Sequence, residues 1–299
     1  VPYGPGANEK ITQAAKGKDV CILNGDLDDS ILASEELKWV HCCRAGVEKS
    51  TKPEVFERGI ILTSSSGRSA PALAEHALMF MLSLTYDLPM LTRAQKEHKW
   101  AVSREYSEKT GMYRKTVGVI GLGKTGSEVA RLVKSFDMKV LAWDRRRKEA
   151  QNVDQVYGAE NGDNLNELLA QCDYVVLSLE LNDQTFHIID AAQLAAMKKT
   201  AFLVNMGRGG LVNEPAMIEA LKNGGIAGAG LDTFETEPLP SESPLWNLPN
   251  VIITPHITPQ LPDKEERMLD YVYQNIKAYR ENGTFVNRVT LRNMLTPQK

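Results

Sequence analysis

Apolar residues along this chain follow two rhythms. Short runs at 19–24, 39–43 and 60–63 have strand length and are separated by helical or turn-rich stretches, which predicts a small α/β unit over residues 1 to about 90. From Lys115 the alternation becomes regular, with apolar runs at 116–120, 139–143, 174–179, 201–205, 227–232 and 250–254. These runs are almost continuously apolar, as expected of parallel strands covered on both faces. Between them Val129, Leu132, Val133 and Phe136 recur at helical spacing, and 214–222 carries another helical pattern. A helix predicted from about Ala72 to Leu84 is apolar nearly all round (Leu73, Ala77, Leu78, Phe80, Met81, Leu82), and is therefore expected to be buried. Pro89 separates it from a second helical stretch over about 90–100. Residues 101–113 are polar and patternless, a connector between two domains, with Gln95 and Trp100 as interface candidates.

The run at 116–120 ends in Gly121-Leu122-Gly123-Lys124-Thr125-Gly126, and a helix follows at once. In this G-x-G-x-x-G spacing Gly121 permits the tight turn, Gly123 lets backbone approach a pyrophosphate, and Gly126 lets helix and strand pack closely. The diphosphate is expected at the helix N-terminus, where unpaired N–H groups and the dipole favour anions. A glycine triplet alone is a weak signal, but the next apolar run ends in Asp144, 23 positions beyond Gly121. An acid there is placed to accept hydrogen bonds from the adenosine ribose. The alternative for Asp144 is a solvated charge at a strand end. The ordered set of strand, glycines, helix, strand and acid favours a dinucleotide. Asp144 repels a 2′-phosphate whereas Arg145-Arg146-Arg147 would welcome one; the placement of the carboxylate favours NAD over NADP.

Bulk properties narrow the field. At 299 residues the chain is more naturally two domains than one. The net charge of −3 comes from balanced pools of 35 basic and 38 acidic residues, which makes no electrostatic case for nucleic acid or a membrane. Cys21, Cys42, Cys43 and Cys172 lack C-x-x-C spacing and a nearby histidine, so buried, reduced thiols in a cytoplasmic enzyme are expected, with no metal site. Glu75 and His76 interrupt the most hydrophobic helix. The chain opens at Val1 without a methionine and enters a Pro/Gly segment, as expected if a first strand lies ahead of it.

Ligands of parallel sheets gather at the carboxyl ends of the strands, and that rule selects residues. Arg208, Asp232, Glu237 and His256 all lie at or just past such ends. Arg208 can fork two donors onto a 2-oxo acid. His256 can pass a proton to the carbonyl oxygen and take it back in the reverse direction. Glu237 beside the imidazole favours its charged form and keeps an acid available near neutrality. Each residue alone is more ordinarily structural; the three together favour catalysis. In the first unit Arg44-Ala45-Gly46-Val47 follows a strand end, and Arg68 lies in the polar loop 64–71. Arg44 and Arg68 stand evenly between surface side chains and contacts to an anionic substrate.

At these residues the chain resembles the D-isomer-specific 2-hydroxyacid dehydrogenase family, which includes phosphoglycerate, hydroxypyruvate and glyoxylate dehydrogenases. The resemblance covers nearly the whole chain. It rests on the glycine motif, on Asn205-Met206-Gly207-Arg208-Gly209-Gly210-Leu211-Val212-Asn213-Glu214, on Leu231-Asp232-Thr233-Phe234-Glu235-Thr236-Glu237-Pro238-Leu239 and on Thr254-Pro255-His256. It implies an α/β fold of two domains, a Rossmann-type doubly wound parallel sheet over 91–269 inserted in a smaller flavodoxin-like substrate domain made of 1–90 and 270–299. Arg208, Glu237 and His256 are then the catalytic set. Asp232 contacts the nicotinamide carboxamide, and Lys124, Thr125, Thr185, Glu180, Gly207 and the backbone near Leu179 and Met206 line the cofactor. The backbone of Ala45, Gly46 and Val47 holds the substrate carboxylate, and two copies pair through their cofactor domains. Glu180 stands where the family has a proline, Pro259 replaces a small residue, Glu48 an aspartate and Asp137 a glycine. The implied reaction moves a hydride between NAD(P) and a small D-2-hydroxy acid or 2-oxo acid. Formate oxidation is disfavoured because that branch resembles a glutamine at Glu237. The rival from another class is a nucleotide-sensing, corepressor-like binding protein. No regulatory domain follows the last predicted strand, so feedback control by an amino acid is not expected.

Overall fold

The computed structural model describes residues 7–100, 106, 109–257, 261–294 and 296. The departures expected at 258–260 and most of the connector at 101–113 lie outside them. The chain forms two units, one of residues 1–69, 181–183 and 261–299, the other of 70–180 and 184–260.

In the first unit β1 (Val20–Leu23), β2 (Trp39–Cys42) and β3 (Ile61–Ser64) pair in parallel, Val40 lying between Cys21 and Leu62. Leu27, Ile31, Leu37, Val40, Cys42, Val55 and Leu62 make its core. The apolar side of β2 therefore anchors the unit, and burial pushes the Cys42 thiol up to about 11, an inert small hydrophobe.

The second unit holds β4 (Thr116–Ile120), β5 (Lys139–Trp143), β6 (Gln155–Tyr157), β7 (Tyr174–Leu177), β8 (Phe202–Asn205), β9 (Gly228–Leu231) and β10 (Val251–Ile253). All are parallel, in the order β10-β9-β8-β7-β4-β5-β6. One face of this sheet, Val117, Val119, Val140, Ala142, Tyr174 and Val176, packs on the helices Ala70–Thr85 and Lys124–Lys134. The intervening Leu141, Val175, Leu177 and Leu203 are equally buried, so both faces are covered, and this explains the unbroken apolar runs. A last strand, β11 (Arg288–Val289), returns to the first unit and pairs antiparallel with β3.

The boundary expected near residue 90 falls instead before Ala70. A Cβ on Gly230 would sit 2.6 Å from Phe80 Cγ and one on Gly228 3.4 Å from Leu84 Cδ2. The two side-chain-free positions on one face of β9 thus receive the helix Ala70–Thr85, which belongs to the larger sheet. The return to the first unit comes at 261 rather than 270. The second helix runs Leu88–Lys96, earlier than expected, because Asp87 (φ +48) ends the turn and caps it while Pro89 fits its first turn. Asp137, in place of the family's glycine, takes φ +53 in the turn before β5, a conformation aspartate tolerates better than most residues.

Candidate active site

Strand register sets six carboxyl ends abreast: Trp143, Ile120, Leu177, Asn205, Leu231 and Ile253 are successive partners across the sheet. β4 lies between β5 and β7, where the strand order reverses, the position at which such sheets open a crevice.

At that point Gly121 has φ +102, and a Cβ on it would lie 2.9 Å from Leu179 Cδ2. A Cβ on Gly126 would overlap the Gly121 carbonyl and stand 2.7 Å from Ser178 Oγ, which itself donates to Gly121 O at 2.8 Å. Gly123 differs. A Cβ there meets no atom within 4 Å, so the missing side chain leaves room before the helix that Lys124 and Thr125 begin, as a diphosphate requires. Asp144, the candidate for the ribose hydroxyls, is tied down by backbone rather than left as a purely solvated charge. Its Oδ2 accepts from Leu122 N–H (3.2 Å) and its Oδ1 from Arg146 N–H (2.9 Å) and Arg147 N–H (3.0 Å). Oδ1 is filled by its two donors, whereas Oδ2, with one, keeps lone-pair capacity for a ribose hydroxyl. Arg145 donates to Gln184 Oε1 at 2.9 Å. Across the opening, a Cβ on Gly207 would lie 2.9 Å from the Leu179 carbonyl oxygen. Met206 donates its N–H to Leu177 O at 3.2 Å. Thr185 Oγ1 donates to Glu180 O at 2.8 Å, so the loop that carries Glu180 is closed by its backbone while its side chain is exposed.

The three strands β8, β9 and β10 deliver the remaining groups. Asn205 accepts Gly207 N–H at 3.1 Å and donates to Arg208 O at 2.9 Å, shaping the turn that presents Arg208. Arg208 Nη1 donates to Gly207 O at 2.8 Å. A Cβ on Gly209 would overlap the Phe234 carbonyl, so this turn presses on the loop of Glu237. There Glu237 Oε1 accepts Phe234 N–H at 3.0 Å, and its Oε2 stands 2.7 Å from His256 Nδ1. His256 has φ +49, a strained backbone for this residue, held by its N–H to Thr254 O at 3.0 Å. Its Nε2 meets no partner among the described residues, and its side chain is 45% exposed. Asp232, 2% exposed, accepts on Oδ1 from Thr254 Oγ1 (2.5 Å) and Ile257 N–H (3.0 Å). Its Oδ2 accepts nothing among the described residues, which suits a carboxamide N–H donor. Sequence reasoning did not pick out Asn205, Thr254 or His76. All three are polar residues beside strand ends, Asn205 and His76 buried and Thr254 half-buried, and only register shows what they touch.

The smaller unit, taken by itself, carries Arg44, Ala45, Gly46, Val47 and Arg68. The N–H groups of Ala45, Gly46 and Val47 donate to no acceptor among the described residues. Arg44 pairs with Asp26 at 2.9 Å and is 48% exposed, whereas Arg68, half-buried, turns its guanidinium to the Cys43 carbonyl. Among the described residues no three His, Cys, Asp or Glu side chains could hold a metal, and no helix is long and apolar enough to cross a membrane.

Comparison with known proteins agrees with this geometry. The profile described as "D-isomer specific 2-hydroxyacid dehydrogenase, NAD binding domain" matches residues 78–258. A glyoxylate reductase of Korarchaeum cryptofilum is 34% identical over 281 residues, covering 92% of this chain and 84% of that protein. A D-3-phosphoglycerate dehydrogenase of Methanocaldococcus jannaschii is 34% identical over 289 residues, covering 96% of this chain and 54% of that protein. Among solved structures, a D-isomer specific 2-hydroxyacid dehydrogenase from Xanthobacter autotrophicus Py2, in complex with NADPH and MES, superposes with a TM-score of 0.78 at 27% identity. It covers 98% of this chain and 96% of that one. Profile and relatives span the glycine turn and all three strand ends, so the chain belongs to the D-isomer-specific 2-hydroxyacid dehydrogenases, NAD-dependent oxidoreductases that move hydride between nicotinamide and 2-hydroxy or 2-oxo acids.

Proposed function

We propose that this chain acts as a reductase of a small 2-oxo acid, with His256 as proton donor, Glu237 as its holder and Arg208 as the substrate's anchor. NADH, when bound, supplies the hydride. The observation that carries this reading is the 2.7 Å bond between His256 Nδ1 and Glu237 Oε2. With Nδ1–H committed to a carboxylate that Phe234 N–H also fixes, the imidazole is held in one orientation. Nε2 is left to donate to a carbonyl oxygen, and in the reverse direction to accept from a hydroxyl. The carboxylate stabilises the imidazolium that the oxidative direction forms. Arg208 grips the substrate carboxylate and polarises its ketone. In the smaller unit, Ala45, Gly46 and Val47 offer backbone N–H groups to an anion, with Arg44 and Arg68 flanking them. Gly121, Gly123, Lys124, Thr125, Gly126, Asp144 and Thr185 hold the dinucleotide, and Asp232 Oδ2 takes its carboxamide.

We place the reaction in the cytoplasm, in keeping with four free cysteines. We also propose a homodimer through the larger unit, where Met79, Tyr86, Leu88 and Trp100 are exposed; light scattering at the monomer mass would refute it. A nucleotide-sensing protein of the same fold needs no imidazole held by a carboxylate, which ranks that reading second. The test is loss of NADH absorbance with glyoxylate and hydroxypyruvate. Turnover is expected, with kcat falling about 10²–10⁴-fold in His256→Gln while NADH binding stays. A silent panel with tight NADH binding would replace the enzyme with the sensor.

A further inference from the structure

His76 lies on the helix Ala70–Thr85, outside every loop that carries a proposed reacting group, yet it reaches the strand ends. Its ring is 6% exposed and lies 4.9 Å from the Phe80 ring. Its Nε2 stands 3.1 Å from Thr254 Oγ1, and that hydroxyl stands 2.5 Å from Asp232 Oδ1. A hydroxyl has one proton to give. The carboxylate, the stronger and closer acceptor, takes it, so Thr254 Oγ1 must accept from His76. His76 is therefore the Nε2–H tautomer, and its buried Nδ1 is a bare lone pair, in keeping with the absence of any partner for that atom. The opposite tautomer would bury an unpaired N–H at Nδ1 and leave two acceptors facing each other at Thr254, a costly arrangement.

The direction of this relay matters because of where it ends. Asp232 Oδ1 takes Thr254 Oγ1–H on one side and Ile257 N–H on the other, so a single oxygen pins the chain on both sides of His256. Its partner oxygen is left for the ligand. We propose that His76 is a positioning residue: through Thr254 it sets the rotation of the Asp232 carboxylate, and thereby aims Oδ2 at the nicotinamide end of the cofactor and seats the His256 loop. This rests on the reading that Asp232 receives the carboxamide.

The experiment compares binding of NADH with binding of ADP-ribose, which shares the adenosine and diphosphate but lacks the nicotinamide. His76→Phe keeps a ring against Phe80 without a donor. His76→Gln restores an N–H near Nε2, and Thr254→Val removes the hydroxyl at constant shape. His76→Phe and Thr254→Val are expected to weaken NADH by about tenfold, the size of one hydrogen bond to a charged group, with ADP-ribose unchanged. The double variant should be no worse than either single one, and His76→Gln should lie near wild type. Equal losses for the two ligands would mean general damage and overturn the proposal, as would NADH affinity unchanged in both His76→Phe and Thr254→Val. Asp232→Asn separates the two levels. If it leaves the preference for NADH over ADP-ribose intact, the carboxamide reading fails and His76 with it. If it abolishes that preference while His76→Phe does not, only the role of His76 falls. Where His76→Phe does not fold, Thr254→Val and His76→Gln still decide the outcome.

Discussion

At Asp144 one carboxylate accepts three backbone N–H groups, and it is the group proposed above to receive the ribose hydroxyls of NAD. The same negative charge opposes a 2′-phosphate by a few kcal/mol at an effective dielectric of about 20. Arg146 and Arg147, both exposed, pull the other way. Asp144→Ala is therefore expected to reduce kcat/KM for NADH at least about tenfold more than for NADPH. Loss of its bonds to the turn should also lower the thermal midpoint by a few degrees, about 1 kcal/mol of stability. A ratio of NADH to NADPH efficiency equal to wild type would remove Asp144 from cofactor choice. Asp144, Glu237 and His256 were visible in the sequence because each lies at or past the end of an apolar run and within an ordered set of motifs, although each alone has an ordinary structural reading. Thr254, Asn205 and His76 were not. A threonine, an asparagine or a histidine fits most positions near a strand, and its meaning appears only once register puts Leu231 between Asn205 and Ile253.

Among elements, long apolar runs were legible and short ones were not. The runs that became β4, β5 and β7 to β9 are almost continuously apolar because both faces of the sheet are covered there, a signal that survives in one dimension. β6 has three residues and β11 two, too few to show any period, and each exists because a longer neighbour offers an edge. The helix Ala70–Thr85 was legible as buried, but not as a part of the larger unit. Which sheet an all-apolar helix joins depends on where small residues let it approach. That place is β9, and Gly230 makes the case testable. A methyl group there would meet Phe80 at Cγ and Cβ, 2.6 and 2.7 Å away, at the root of a ring that is itself fully buried. Gly230→Ala should cost about 1–3 kcal/mol in urea unfolding. Phe80→Leu in the same chain should recover part of that loss, although alone it destabilises. If Gly230→Ala is neutral, Phe80 has room to move and the helix is not seated as described.

Stability against acid depends on a histidine inside the smaller unit. His41 in β2 is completely buried, with Nδ1 2.8 Å from Thr63 Oγ1 and Nε2 3.0 Å from Ser65 Oγ. Two hydroxyls satisfy a neutral imidazole but offer no countercharge to an imidazolium, and burial pulls its pKa from 6.5 down to about 4. Between those values the unfolded chain binds a proton that the folded chain refuses, so stability rises with pH across that window. The contribution is complete above pH 6.5 and is lost as pH falls towards about 4, an interval worth about 3 kcal/mol. Carboxylates also titrate on the way down, so the test is a difference. His41→Gln keeps a neutral group able to meet both hydroxyls at every pH. In urea unfolding at pH 7 and at pH 4.5, followed by tryptophan fluorescence, wild type should lose about 2–3 kcal/mol more than His41→Gln does. Trp39, whose Nε1 donates to the same Thr63 hydroxyl at 2.9 Å, reports on that sheet directly. Parallel pH dependences in the two proteins would show that the imidazole is charged in the folded chain, and would require an anion beside β2 that nothing in the hydroxyl-lined site supplies.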